Sequence, residues 1–306
     1  MRCLVTGATG HIGSFLVRRL LAQGAEVAAV ARPGGDRRRI ADLAGSLRLI
    51  ETDLAGLAGA RAELAAFAPE TVFHLAWGGV TSEFRNDQLQ LTANVRDSLS
   101  VLELAQDIGA RAWISVGSQA EYGPYDRPLV ESLPLRPVTG YGVAKVALGM
   151  LAQKFCAMAG MRFAWLRLMA TYGPGDDPRH LIPAVIDQLL AGDRPALTPG
   201  EQTCDYLYID DVVEALWLAA AGEAEGVFNL GSGATASVRA IVEQIRDLID
   251  PALPLGLGDL AYRPDQLMHF QGDSSLLAAA TGWQPRVGLA DGLRRTVDWH
   301  RAGGTQ

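Results

Sequence analysis

Lysine is nearly absent from this chain. Lys145 and Lys154 are its only two, while arginine is plentiful. A net charge of −7 with no clustered basic stripe argues against nucleic acid as a partner. Cysteine is scarce too: Cys3, Cys156 and Cys204 are odd in number and lack disulfide, redox or metal spacing. They read as buried, reduced thiols of a cytoplasmic protein. No His/Cys/Asp grouping has metal-ligand spacing, so no metal is expected. No uninterrupted apolar run reaches the roughly 18 residues a membrane helix needs, which predicts no membrane partner. The first strand starts beside the initial methionine, leaving no room for a signal peptide. Repeats and low-complexity tails are absent as well. What remains, 306 residues of which 49% are hydrophobic, suffices for one large or two modest domains.

One of the two lysines has a partner at helical spacing. Tyr141 and Lys145 lie four residues apart in Tyr141-Gly142-Val143-Ala144-Lys145, so phenol and ammonium share a helix face. A neighbouring cation favours the phenolate and moves a tyrosine toward the range useful for acid–base catalysis. A compact, tunable ammonium in a chain that otherwise uses arginine marks the position as special.

The amino terminus supplies the context. The apolar run Arg2-Cys3-Leu4-Val5 leads into Thr6-Gly7-Ala8-Thr9-Gly10-His11-Ile12-Gly13, and then Phe15, Leu16, Leu20 and Leu21 recur at helical spacing up to Gly24. Strand, glycine turn and helix in that order form a dinucleotide-binding fingerprint. Gly7 permits the tight turn, Gly10 lets backbone approach a pyrophosphate, and Gly13 allows close helix–strand packing. The helix N-terminus offers the anion unpaired N–H groups. At the end of the second strand, Glu26 through Ala31, an acidic residue would select the ribose 2′-hydroxyl of NAD. Arg32 stands there instead, followed by Arg37, Arg38 and Arg39. A guanidinium pairs with a 2′-phosphate, so NADP(H) is preferred and NAD(H) is the alternative, in which Asp36 would face the ribose. Asp53 closes a third strand and is expected at the adenine. Val72 through Ala76 reads as a fourth, with the Leu75–Ala76 backbone lining the cofactor.

Short apolar strands alternating with helical stretches indicate a parallel α/β sheet. Val101–Ile108 is expected in a helix, with Ala112–Val116 and Phe163–Leu168 as strands. Beyond these the pattern changes: Pro174, Pro178, Pro183, Pro195 and Pro199 punctuate short elements, and a second proline-rich stretch runs from Pro251 to Pro264. The division is placed at 1–172 and 173–306, with segments near 205–231 returning to the first part.

Further short motifs extend the pattern: Asp53-Leu54, His74-Leu75-Ala76, Asn94-Val95, Ser118 before Glu121-Tyr122-Gly123, Arg167 before Tyr172-Gly173-Pro174-Gly175, Tyr208 through Val212, Phe228 through Gly231, and Gly282-Trp283. With the glycine turn and Tyr141 through Lys145, they follow in order the pattern of the extended short-chain dehydrogenases/reductases, the nucleotide-sugar epimerase, dehydratase and ketoreductase group, which this chain resembles over nearly its whole length. The resemblance implies a Rossmann-type doubly wound sheet with a smaller C-terminal α/β substrate domain, and a homodimer through the helices around 94–106 and 141–158. It implies Ser118, Tyr141 and Lys145 as the catalytic set. Cofactor contacts carried over are Gly7, Thr9, Gly10, His11, Ile12, Gly13, Arg32, Arg37, Asp53, Leu54, Leu75, Ala76 and Asn94, together with Tyr141 and Lys145. Ser118, Gln119, Tyr172, Arg179 and Arg263 are the implied substrate contacts. Tyr141 would protonate a carbonyl oxygen as hydride reaches its carbon, and Ser118 would bond the same oxygen. Lys145 would hold the phenol's pKa low.

Departures from the family pattern narrow the chemistry. Where 4,6-dehydratases follow this serine with Asp-Glu, the chain has Gln119-Ala120, which cannot shuttle a proton. Where the family often grips the substrate diphosphate with arginine, the chain has Cys204 before Asp205-Tyr206; the second arginine position is retained as Arg263, and Arg179 and Arg194 are possible substitutes. His180 and His269 are candidates for touching a sugar, although lone loop histidines are more often structural or solvent-exposed. The expectation is an NADPH-dependent 4-ketoreductase of a nucleoside-diphosphate 4-keto-6-deoxyhexose. The alternatives are an NAD-dependent 4-epimerase and, from another class, a binding protein that senses NADP(H) without turnover.

Overall fold

The computed structural model describes residues 1–304. Its centre is a seven-stranded, all-parallel sheet. In chain order it takes β1 (Arg2–Thr6), β2 (Glu26–Ala31), β3 (Arg48–Glu51), β4 (Thr71–His74), β5 (Ala112–Ser118) and β6 (Arg162–Leu168), with the strand Gly226–Leu230 on the outer edge. Across the sheet the order is 3-2-1-4-5-6 followed by that late strand. Alternation within each strand explains both layers. Cys3 and Val5 face one side and Leu4 the other; Val27 and Ala29 oppose Ala28 and Val30; Ala164 and Leu166 oppose Phe163 and Trp165. Burial on both faces is why these strands read as continuous apolar runs.

Helix α1 (His11–Ala22) covers the first face; α2 (Arg61–Phe67), α3 (Ala93–Asp107) and α4 (Gly140–Ala159) cover the second. The third and fourth strands end at Glu51 and His74, earlier than the expected Asp53 and Ala76, which leaves those residues in loops at the crevice. Thr139 caps α4 by accepting the Gly142 N–H at 3.1 Å, and Gly160 ends it at φ +67°. Ala144, Leu148, Ala152 and Cys156, four apart, are its buried stripe. Contrary to expectation, α4 is long and apolar enough to cross a membrane by length and composition, with a mean hydropathy of 1.2. Here it lies along the sheet and carries Tyr141 and Lys145.

The remaining chain adds a helix over the first face and the edge strand to the sheet, and otherwise builds smaller units. The elements are β7 (Ala170–Tyr172), α5 (Leu181–Leu190), β8 (Ala196–Leu197), β9 (Thr203–Cys204), β10 (Tyr206–Tyr208) and α6 (Ile209–Ala221), then β11 (the edge strand Gly226–Leu230) and β12 (Ala236–Ser237). They continue with α7 (Val238–Ile249), β13 (Gly256–Leu257), β14 (His269–Phe270), α8 (Ser275–Thr281) and α9 (Leu289–Arg301). β10 pairs with β7, β9 with β12 and β14, and β13 with β8. All three cysteines are buried, with burial pushing each thiol up to about 12.

Asp205 ties these units together. Fully buried, its carboxylate accepts from Ser232 N–H (2.7 Å), Ser232 Oγ–H (2.6 Å), Gly233 N–H (3.1 Å) and Gly272 N–H (3.0 Å). Truncation would leave these donors without an acceptor. Asp205→Ala is expected to lower unfolding free energy by at least about 3 kcal/mol, with Asp205→Asn losing less. Urea denaturation midpoints check this, and equal midpoints for Asp205→Ala and wild type would refute it.

Candidate active site

A crevice opens where the strand order reverses. β1 and β4 are neighbours, but the chain leaves them toward opposite edges of the sheet, so their carboxyl-end loops diverge. Gly7 adopts φ +71°, and a Cβ there would come within 2.7 Å of Ala76 N, so the turn lies directly on the Leu75–Ala76 backbone. A Cβ on Gly13 would overlap the Gly7 carbonyl oxygen. Helix α1 begins with no side chain capping its first amides, which leaves their N–H groups to an anion. Beyond them lies a cavity of about 190 Å³, lined by Thr9, Gly10, Ala31, Arg32, Gly35, Asp36 and Arg39. Glycine cradle, open helix end and cationic pocket fit a dinucleotide.

Deeper in, β5 delivers Ser118 and α4 delivers Tyr141 and Lys145. Ser118 caps the next turn: its Oγ accepts the Ala120 N–H at 3.1 Å, and its own N–H donates to Glu121 Oε1 at 2.8 Å. The Ser118 side chain also lies near enough to the Tyr141 phenol to pull its pKa down. Glu121 is itself immobilised, accepting from Trp165 Nε1 (2.9 Å) and Arg167 Nε (2.7 Å). Lys145 Nζ donates to the Val116 carbonyl at 2.9 Å and stands 5.9 Å from the Tyr141 ring centroid.

The electrostatics correct the expectation for this pair. Burial raises the Tyr141 pKa above its ordinary value, against the opposing pulls of the Ser118 side chain and the Arg85 charge. Burial likewise pushes Lys145 down to about 7. Water is stripped from both groups, and desolvation disfavours each charged form. In this crevice the ammonium does not hold the phenol's pKa low.

The family profile described as the NAD dependent epimerase/dehydratase family matches residues 3–231. The chain belongs to that family. The UDP-glucose 4-epimerase of Mycolicibacterium smegmatis is 32% identical, with 98% of this chain and 99% of that protein aligned. The dTDP-glucose 4,6-dehydratase of Streptomyces griseus is 30% identical over 97% and 93%. DesIV, a dTDP-glucose 4,6-dehydratase from Streptomyces venezuelae solved with NAD and TYD bound, superposes with a TM-score of 0.89 at 27% identity, covering 99% and 97%. This member of the epimerase/dehydratase family is thus an enzyme of the extended short-chain group, with the Rossmann-type fold its sequence led us to expect.

Several expected contacts of the family pattern have other partners here. Arg37 pairs with Glu51 at 2.8 Å, and Arg38 with Asp36, holding that carboxyl well below its usual range. Arg39, which drew no assignment in sequence, lines the cavity and donates from Nε to the Gly175 carbonyl at 2.9 Å. Asp53 Oδ1 accepts the Gly56 N–H at 2.7 Å, closing its own turn, and Leu54 packs against the second core cluster. The His11 ring turns to Asp176 at 3.3 Å, leaving only its backbone, with that of Ile12, at the open helix end. Asn94 clamps Gly78, accepting its N–H and donating to its carbonyl, both at 2.9 Å. Tyr172 is 1% exposed and donates to the Leu289 carbonyl, a core role that removes it from the substrate list. Arg179 is taken by Asp177 and Glu83, and Arg194 by Asp259. Gln119 does face inward: its Oε1 is buried with no partner among the described residues. Arg263 stands 3.4 Å from Asp265 and close enough to Arg85 to repel its charge. Arg85, half-buried and without a carboxylate ion pair among the described residues, is the site residue sequence reading missed; no motif surrounds it. Its carbonyl accepts the Tyr141 N–H at 2.8 Å.

His180 also turns to Asp176, at 2.9 Å, joining the glycine turn to the loop before α5. That bond raises the His180 pKa above its ordinary 6.5; burial works against the Asp176 charge, but bonds from His11 and His180 outweigh it and hold the carboxyl low. A raised histidine stabilises below its ordinary value and loses its contribution as pH rises through the folded value. The depressed carboxyl contributes above its ordinary 3.8 and fails only in acid. The melting-temperature gap between wild type and His180→Gln should therefore be widest near about pH 6 and shrink by about pH 8. A gap that ignores pH would contradict this linkage.

Proposed function

We propose that this enzyme reduces the 4-keto group of a nucleoside-diphosphate 4-keto-6-deoxyhexose at the expense of NADPH. The observation that carries the reading is Arg32. Two of the four arginines after β2, Arg32 and Arg39, line the cavity beside Thr9 and Gly10; Arg39 donates to the Gly175 and Thr9 carbonyls, Arg32 has no carboxylate partner among the described residues, and the nearby Asp36 is neutralised by Arg38. A guanidinium so placed supports recognition of a 2′-phosphate. Bound in the crevice, the nicotinamide would supply hydride to the carbonyl carbon. The Tyr141 hydroxyl would give its proton to the carbonyl oxygen, and a raised pKa suits a group that must be protonated before the reaction. The Ser118 hydroxyl would bond the same oxygen and hold it at the phenol. Arg85 and Arg263 would hold the substrate diphosphate in place of the arginine that Cys204 displaces. Dehydration is disfavoured: Gln119 and Ala120 carry no proton, and Glu121 is locked by Ser118, Trp165 and Arg167.

A second reading, an NAD-dependent 4-epimerase, is favoured by the epimerase relative and by the NAD in the DesIV structure. We also propose that residues 173–306, apart from segments near 205–231 that return to the first part, form the smaller sugar-nucleotide part. The exposed apolar side chains Val143, Met150, Leu151 and Met158 on α4 support a homodimer through that face, which sedimentation of a monomer at micromolar concentration would exclude.

Tyr141→Phe is expected to lower kcat by about 10²- to 10⁴-fold. Arg32→Ala should raise KM for NADPH by roughly 10- to 100-fold and leave NADH unaffected. Nicotinamide absorbance with candidate keto-sugar nucleotides reads both. Tightly held NAD with interconversion of 4-epimers would replace the reductase by the epimerase, and NADPH binding without turnover on any carbonyl would favour a sensor.

A further inference from the structure

Trp77 follows the His74-Leu75-Ala76 motif, and nothing so far assigns it a role. Its ring lies against a buried amine of the crevice: Lys145 Nζ is 3.8 Å from the Trp77 ring centroid. The same ring meets Tyr141 edge to face at 6.0 Å. The indole is not free to swing. Its Nε1–H donates to Gln90 Oε1 at 2.7 Å, and Gln90 is completely buried. Gln90 Nε2 donates in turn to the Gly79 carbonyl at 2.6 Å and the Phe84 carbonyl at 3.0 Å, while Asn94 Nδ2 donates to Gln90 Oε1 at 3.0 Å.

We propose that Trp77 is the positioning residue for Lys145: its face holds the ammonium against the Val116 carbonyl, at the mouth of the Tyr141 phenol, and Gln90 locks the indole in that pose. The chemistry is that of a cation over an aromatic quadrupole in a dry site, where the attraction is least screened. Among the described residues Lys145 has one hydrogen-bond acceptor, Val116, for three N–H groups, so the ring supplies much of what lost water once did. The other groups around it do not replace the ring. Glu121 favours the ammonium but is bonded to Arg167 and Trp165. His74 is buried, with burial first and then Lys145 pushing its pKa down to about 3, so it stays neutral. Tyr141 is neutral as well, and the Trp165 ring is farther off at 5.8 Å.

The two-lysine composition makes the test direct. Protein labelled with [ε-¹³C]lysine carries two resonances, buried Lys145 and exposed Lys154, and the Lys145 signal, assigned by its loss in Lys145→Arg, is followed against pH without any substrate. With burial pushing it down to about 7, Lys145 is expected to titrate there in the wild type. In Trp77→Leu, which keeps apolar bulk, its midpoint should fall by on the order of one pH unit, tenfold in proton affinity. Trp77→Phe should fall less, and unchanged far-ultraviolet circular dichroism of both variants reports an intact fold. A Lys145 midpoint that stays or rises in Trp77→Leu overturns the proposal, because the ring would then act only as a desolvating wall. The functional half of the inference rests on the reductase reading: the alkaline limb of kcat should move with the Lys145 midpoint. A shifted midpoint in a protein that turns over no carbonyl leaves Trp77 as the positioning residue and removes the reductase reading.

Discussion

The Glu121 carboxylate, 1% exposed, is the point on which the geometry of the crevice depends. Its two oxygens take an N–H from Ser118, the indole N–H of Trp165 and the Nε–H of Arg167, so the end of β5, the turn after it and the middle of β6 are fastened to one group. Arg167 passes the constraint on, donating to Tyr122 Oη at 3.1 Å, and Tyr122 donates to Asn229 at 2.7 Å on the outermost strand. Asn229 then reaches the Leu129 carbonyl in the 124–138 loop. A buried ion pair is a weak source of net stability, because desolvation consumes most of the Coulombic gain. Its effect is specificity: any other position for Ser118 would strand charges and donors inside the protein.

Desolvation is also the theme of the chemistry. The crevice takes water from Tyr141, Lys145 and His74 together, and for each the burial cost dominates the neighbouring charges. The result is a reservoir of neutral phenol beside an ammonium held near its own midpoint. Such a site responds strongly to whatever charge a bound ligand introduces, because interactions are least screened where water is absent. Trp77 belongs to the same logic, a polarizable surface that accommodates a cation without bringing in water.

Much of the architecture was legible because it depends on local regularities. Strands buried on both faces must be apolar runs, a dinucleotide turn must contain Gly7 and Gly13 where no Cβ fits, and a helix that buries Ala144, Leu148, Ala152 and Cys156 must repeat every four residues. The arginines after β2 were less legible. Four follow one another in sequence, but Glu51 and Asp36 neutralise two, backbone carbonyls take Arg39, and only three-dimensional pairing shows Arg32 left at the cavity without a carboxylate. Tyr172 and Arg179 failed as substrate contacts for the same reason: a motif cannot tell a side chain facing the crevice from one facing the core or a nearby carboxylate.

The linear order of residues by itself determined the layered α/β plan, the glycine turn, and the placing of Ser118, Tyr141 and Lys145 at the ends of particular elements. These follow from periodicity and steric permission, which are properties of short segments. Tertiary structure alone decided which charges are spent on one another, that the Tyr141 phenol is raised rather than lowered, and that Arg85 and Trp77 converge on it from distant parts of the chain. Burial and through-space contact are properties of the assembled fold, and no local pattern carries them.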